Sequence, residues 1–143
     1  MKTTIKLFLI ALTIGLASCS KSNDDNPSNN NNNSNQVTGN WTVTYYFDSG
    51  KDETSDYNGY TFDFASSGVL TALNGQSTFT GTWRIGDRSS DDDSSSNKLV
   101  ITITGNKYMD DLQDDWLIVS ISDNEIRLMD DNISSAEELR FGR

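Results

Sequence analysis

A chain of 143 residues with 11 basic and 21 acidic side chains carries a formal charge of −10, and it has no histidine and a single cysteine. That balance excludes a nucleic-acid face, which needs clustered Lys and Arg. The missing histidine excludes His-based hydrolytic triads and His-ligated zinc, and one cysteine excludes an internal disulfide.

The first element is an export segment. Lys2 and Lys6 lead into an apolar run, residues 7–17, and Ser18 and Cys19 follow it. A bilayer-spanning helix takes about 20 residues, so this run is too short. Its basic lead and small residues near the cut have the form of a signal peptide over residues 1–18. The stretch Leu16-Ala17-Ser18-Cys19 resembles the lipobox of bacterial lipoproteins. That resemblance implies cleavage before Cys19, a diacylglycerol thioether on its sulfur and an acylated amine, with palmitate as the type of chain. Each buried methylene contributes roughly 0.8 kcal/mol, so two or three chains hold a small domain where one holds it marginally. Losing Lys2 and Lys6 takes the side-chain charge from −10 to −12. A body so acidic is repelled by anionic lipid, and the acyl anchor must supply the membrane attachment.

Residues 19–36 comprise the lipidated cysteine and SKSNDDNPSNNNNNSNQ, with no apolar side chain except Pro27. Nothing there offsets the entropy of ordering a backbone, which predicts a disordered Asn/Ser/Asp-rich tether. Ser20 resembles the sorting preference for the outer membrane. Lys21, Asp24 and Asp25 resemble the lysine-plus-acidic export signals of Bacteroidota surface lipoproteins. The expected location is the outer membrane, lipid-anchored, on its periplasmic face or at the cell surface.

Residues 37–143 form one domain, and its periodicity is two. Trp41, Val43, Tyr45 and Phe47 alternate with polar residues and Tyr46. Tyr60, Phe62 and Phe64 share a second face, and Phe79, Gly81, Trp83 and Ile85 a third. GVLTALN, KLVITIT, DWLIVSIS, EIRLM and ELRFG follow the same rule. Alternation in β-branched and aromatic residues predicts strands. FASSG, NGQS and SDNE are hairpin-length turns. SGKDETSDYNG and GDRSSDDDSSSN are longer polar loops. NKYMDDLQDD, with Met109 and Leu112 on one side, and DDNISSAEE each predict a helical turn. The fold class is all-β. Eight antiparallel strands in an up-and-down order favour a closed barrel, because closure removes exposed edges, with a sandwich as the alternative. An eight-stranded barrel either fills with side chains or holds one small ligand.

GNWTV (39–43), YTFDFASSG (60–68), GTW (81–83) and LRF (139–141) resemble the pattern of lipocalin-like domains on Bacteroidota lipoproteins. The resemblance implies a barrel-end plug in which Trp41 lies under an arginine of the last strand, here Arg140. It also implies an interior in which Tyr45, Phe62, Phe64, Phe79 and Trp83 line any cavity. No counterpart of the second lipocalin motif is present. Trp116 starts a strand with apolar residues on both parities, which predicts burial beneath the 106–115 segment.

No phosphate-binding loop or nucleophile elbow is present, and Asp63 alternates outward from its aromatic neighbours. The pairs Asp110-Asp111, Asp114-Asp115 and Asp130-Asp131 and the run Asp91-Asp92-Asp93 offer oxygen donors of the kind calcium takes, without EF-hand spacing. They read as solubilising surface. The expectation is a non-enzymatic envelope module with no cofactor and no metal. It would act on an envelope or host protein through its loops, or carry a small hydrophobic or sugar-like ligand.

Overall fold

The computed structural model describes residues 30–86, 97–132 and 134–143. Cys19 and Asp91–Asp93 lie outside them. Eight strands form a closed antiparallel barrel: β1 (Gly39–Asp48), β3 (Thr61–Phe64), β4 (Val69–Asn74), β5 (Ser77–Ile85), β6 (Lys98–Thr102), β7 (Asp115–Ile121), β8 (Glu125–Met129) and β9 (Glu138–Gly142). Each pairs with the next in this order, and β1 also pairs with β9, which closes the ring. A short strand β2 (Lys51–Asp52) folds back on the end of β1, and a 3-10 turn spans Thr54–Tyr57. Both fall in the stretch expected to be a plain polar loop. Two helices flank the staves, α1 (Asn30–Val37) and α2 (Lys107–Asp111). No helix among the described residues is long and apolar enough to cross a membrane.

Two bulges change which residues face inward. In the β1–β9 ladder Val43 stands opposite Phe141 and Tyr45 opposite Arg140, so Thr44 is an extra residue. Inward parity moves from Trp41 to Tyr46, and Tyr46 is buried. Tyr45 and Phe47, expected inside, lie outside the buried core and stack on one another at 6.4 Å. Val119 is the extra residue between β7 and β8. Trp116 and Ile118 face in before it, Ile121 packs on the core after it, and Val119 is exposed. This accounts for a strand that is apolar on both parities.

α1 spans the junction at residue 36. Its residues are poor helix formers, yet the segment is tied to the barrel. Val37 is buried, the Trp41 indole donates to its carbonyl at 2.7 Å, and Thr38 bonds back to Ser34. Tertiary contact supplies what local propensity does not. The expected turn at 106–115 is α2, capped by the Asn106 side chain on the Met109 amide, with Met109 and Leu112 buried. Among the described residues of 130–138 there is no helix. Asp130 instead accepts from the Asn132 amide and the Ser135 hydroxyl.

Candidate functional site: the loop end of the barrel

The up-and-down order sends the connections after β1, β4, β6 and β8 to one end of the barrel. It sends those after β3, β5 and β7, with α1 and the C-terminus, to the other.

The second end is plugged. Trp41 is buried beneath the guanidinium of Arg143, which lies 4.0 Å from its ring centroid. Arg143 also donates to the carbonyls of Asp123 and Thr38. Gly39 adopts φ +124°, a conformation that favours glycine, and a β-carbon there would stand 2.7 Å from the Arg143 guanidinium and push it aside. Arg140 does not take this place. It points outward between buried Leu139 and Phe141, sits 4.9 Å from the centroid of the Tyr45 ring and pairs with Glu138 at 2.7 Å. An outward residue of β9 cannot reach an inward ring of β1.

Between the ends the barrel is packed. Phe141 meets Phe62 and Phe64 edge-on at 5.4 Å, and Phe64 meets Trp83 at 5.7 Å. Phe79 is partly buried against Tyr60 and the rest of the core. Phe62, Phe64, Leu70, Ile101, Leu128 and Phe141 retain no accessible surface. A chamber large enough for a water molecule would leave some on the side chains around it. Phe62 and Phe64 therefore act here as packing, and Trp83 is buried against Phe64 with its indole donating to the Ala65 carbonyl at 2.9 Å.

The loop end is built differently. Tyr46 of β1 meets Tyr57 of the 3-10 turn at 5.2 Å and Trp116 of β7 at 6.4 Å, and Tyr57 meets Tyr108 of α2 at 6.2 Å. Several polar tips here are bonded. Tyr57 donates to the Tyr108 carbonyl at 3.1 Å, Trp116 to the Leu112 carbonyl at 3.0 Å, and Asn106 to the Tyr60 hydroxyl at 3.2 Å. Lys107 links the two covering segments through Glu53 at 3.9 Å and Asp111 at 3.6 Å. Glu137, on the connection into β9, accepts from the Tyr46 hydroxyl at 2.9 Å. Its carboxyl is pushed up to about 7 by burial, and then by Asp48, Asp130 and Asp114, against the lowering effect of the Tyr46 bond. Burial first, and neighbouring acids second, raise the Tyr46 and Tyr57 phenols far above their ordinary range, so both remain protonated donors.

The aspartate pairs are dispersed. Asp111 faces Lys107, Asp115 and Asp131 share Lys98, and Asp130 serves its own turn. Among the described residues no three acidic side chains form a group that could hold a metal.

Sequence reasoning missed Tyr46, Tyr57, Glu137 and Arg143. A tyrosine inside the polar SGKDETSDYNG stretch was the one available signal. Tyr46 and Glu137 had none, since a bulge and a loop closure bring them together.

No protein-family model matches the chain, and a search of curated proteins finds no match. Two solved structures resemble it. One is described as a lipocalin-like protein from Bacteroides uniformis, at 15% identity and a TM-score of 0.53, over 76% of this chain and 98% of that one. The other is described as a DUF4847 family protein from Bacteroides vulgatus, at 14% identity and a TM-score of 0.51, over 73% of this chain and 92% of that one. With the closed eight-stranded antiparallel barrel, they establish that this chain has a lipocalin-like fold.

Proposed function

We propose that the protein is a non-enzymatic accessory lipoprotein of the cell envelope, anchored to the outer membrane through Cys19, that engages an envelope or host protein through the loop end of its barrel. The observation that carries this reading is the packed interior, where inward side chains from β3, β4, β6, β8 and β9 retain no accessible surface. Such a barrel serves as a rigid scaffold, and binding residues concentrate on the loops that a scaffold positions. The aromatic, acid-lined loop end is the part whose composition exceeds what packing alone requires.

The lipocalin-like fold supports a second reading, carriage of a small hydrophobic or sugar-like ligand. It would require the α2 cover and the 3-10 turn to move. Native mass spectrometry of the protein purified gently from its host, with extraction of lipids and metabolites, separates the two. The expected result is a mass without adduct, unchanged after incubation with envelope lipids and sugars. A stoichiometric small-molecule adduct overturns the packed-scaffold reading in favour of carriage.

A further inference from the structure

The Tyr46 hydroxyl faces two acceptors at once, Oε1 of Glu137 at 2.9 Å and the backbone carbonyl of Asp111 at 3.2 Å. A phenol has one proton and can donate to only one of them. The charge on Glu137 decides which. When the carboxyl is neutral, its own O–H donates to the Tyr46 oxygen, and the Tyr46 proton goes to the Asp111 carbonyl at the end of α2. Both contacts are then made. When the carboxyl is ionised it carries no proton. The charge-assisted bond is the stronger, so Tyr46 donates to Glu137 and its contact with Asp111 has no proton left.

We infer that Glu137, acting through Tyr46, is a proton-operated latch on α2: the neutral carboxyl fastens the cover to β1, and the ionised carboxyl releases it. The segment it holds is short. α2 has five residues, and among the described residues positions 106–113 are tied outward, beside Tyr46, by the Tyr57–Tyr108, Asn106–Tyr60 and Trp116–Leu112 bonds and the Lys107–Glu53 pair. Beneath it lie Met109, Leu112 and Trp116, all buried, so release would loosen an apolar surface at the loop end.

Acidic groups act on Glu137 from the elements around it: Asp48 from β1, Asp114 from the segment after α2, and Asp130 from the connection into β9. Tyr57 approaches from the 3-10 turn. The cation of α2, Lys107, is paired with Asp111 and Glu53. Ionisation of Glu137 therefore adds a like charge to an acidic cluster, which reinforces the release. The latch requires no particular partner or ligand and is independent of the function proposed above.

Hydrogen exchange on the purified full chain tests it. The amides of Met109, Asp110, Leu112 and Gln113, which bond within the segment, are followed at about pH 6 and about pH 8.5 after correction for the intrinsic exchange rate. The expected loss of protection at the higher pH is about fivefold, the value of one net hydrogen bond. Glu137→Gln, whose amide donates to Tyr46 at every pH, should keep the protection of the lower pH throughout, and Tyr46→Phe should show no pH step. A wild type with equal protection at both pH values overturns the latch. So does a step that persists in Glu137→Gln, which would place the titrating group elsewhere, with Asp114 the first suspect.

Discussion

Arg143 lays its guanidinium 4.0 Å from the centre of the Trp41 ring and fixes it there with bonds to the carbonyls of Thr38 and Asp123. A cation over an indole contributes roughly 0.5–2 kcal/mol, and this one also covers the plugged end of the barrel. Arg143→Ala should lower the midpoint of thermal unfolding by about 4 °C or more, using the scaling for a domain of this size. Arg140→Ala should cost less, since its pairing with Glu138 is part-exposed and such pairs contribute about 0–1 kcal/mol. Equal midpoints for the two variants would remove the special role of Arg143.

Gly81 offers a packing test on the opposite wall. A β-carbon there would come within 2.8 Å of the Ile103 α-carbon, which belongs to backbone and cannot rotate aside. Gly81→Ala should destabilise by about 1–3 kcal/mol, the usual cost of overpacking, seen as a lower urea midpoint. A neutral result would mean that the strand leaving β6 has room to shift.

Glu137 and Glu138 should give the stability opposite pH dependences. The Glu137 carboxyl sits at about 7 in the fold, above its ordinary 4.5. Its contribution is therefore fully present below about 4.5 and is lost as the pH rises to about 7. Glu138 is held below its ordinary value by the Arg140 bond first, with Arg127 adding to it, so its contribution is present at neutral pH and is lost on acidification. Glu137→Gln should gain stability relative to wild type between about pH 5 and about pH 8, measured by urea unfolding at each pH. A constant difference across that range would show that Glu137 does not titrate there.

Cys19 carries the membrane attachment in the proposed function. Cells grown with an alkynyl palmitate should label the protein and recover it in the outer-membrane fraction, and Cys19→Ser should lose both. A labelled Cys19→Ser variant would place the lipid elsewhere.

Much of the fold was legible because strand periodicity is a local property. The apolar faces of β3, β5, β6, β8 and β9 follow from alternation alone, and a run of eight such strands with short turns implies closure. The α2 turn was legible too, from Met109 and Leu112 in an otherwise polar segment. Composition likewise decided which chemistries are absent, since a chain without histidine cannot perform histidine chemistry.

Tertiary structure decided the rest. Whether Tyr45 or Tyr46 faces inward depends on an extra residue at Thr44, and that bulge exists only in register with β9. The same holds for Val119 against β8. α1 forms in a stretch of asparagine and serine because Val37 and Trp41 give it a docking site, which local propensity does not encode. The contact of Glu137 with Tyr46 joins residues 91 positions apart. Its chemistry depends on burial and on three neighbouring carboxylates, two of them from other elements. Alternation can be read along a chain, whereas register, burial and the sharing of one proton between two acceptors arise only when the strands have met.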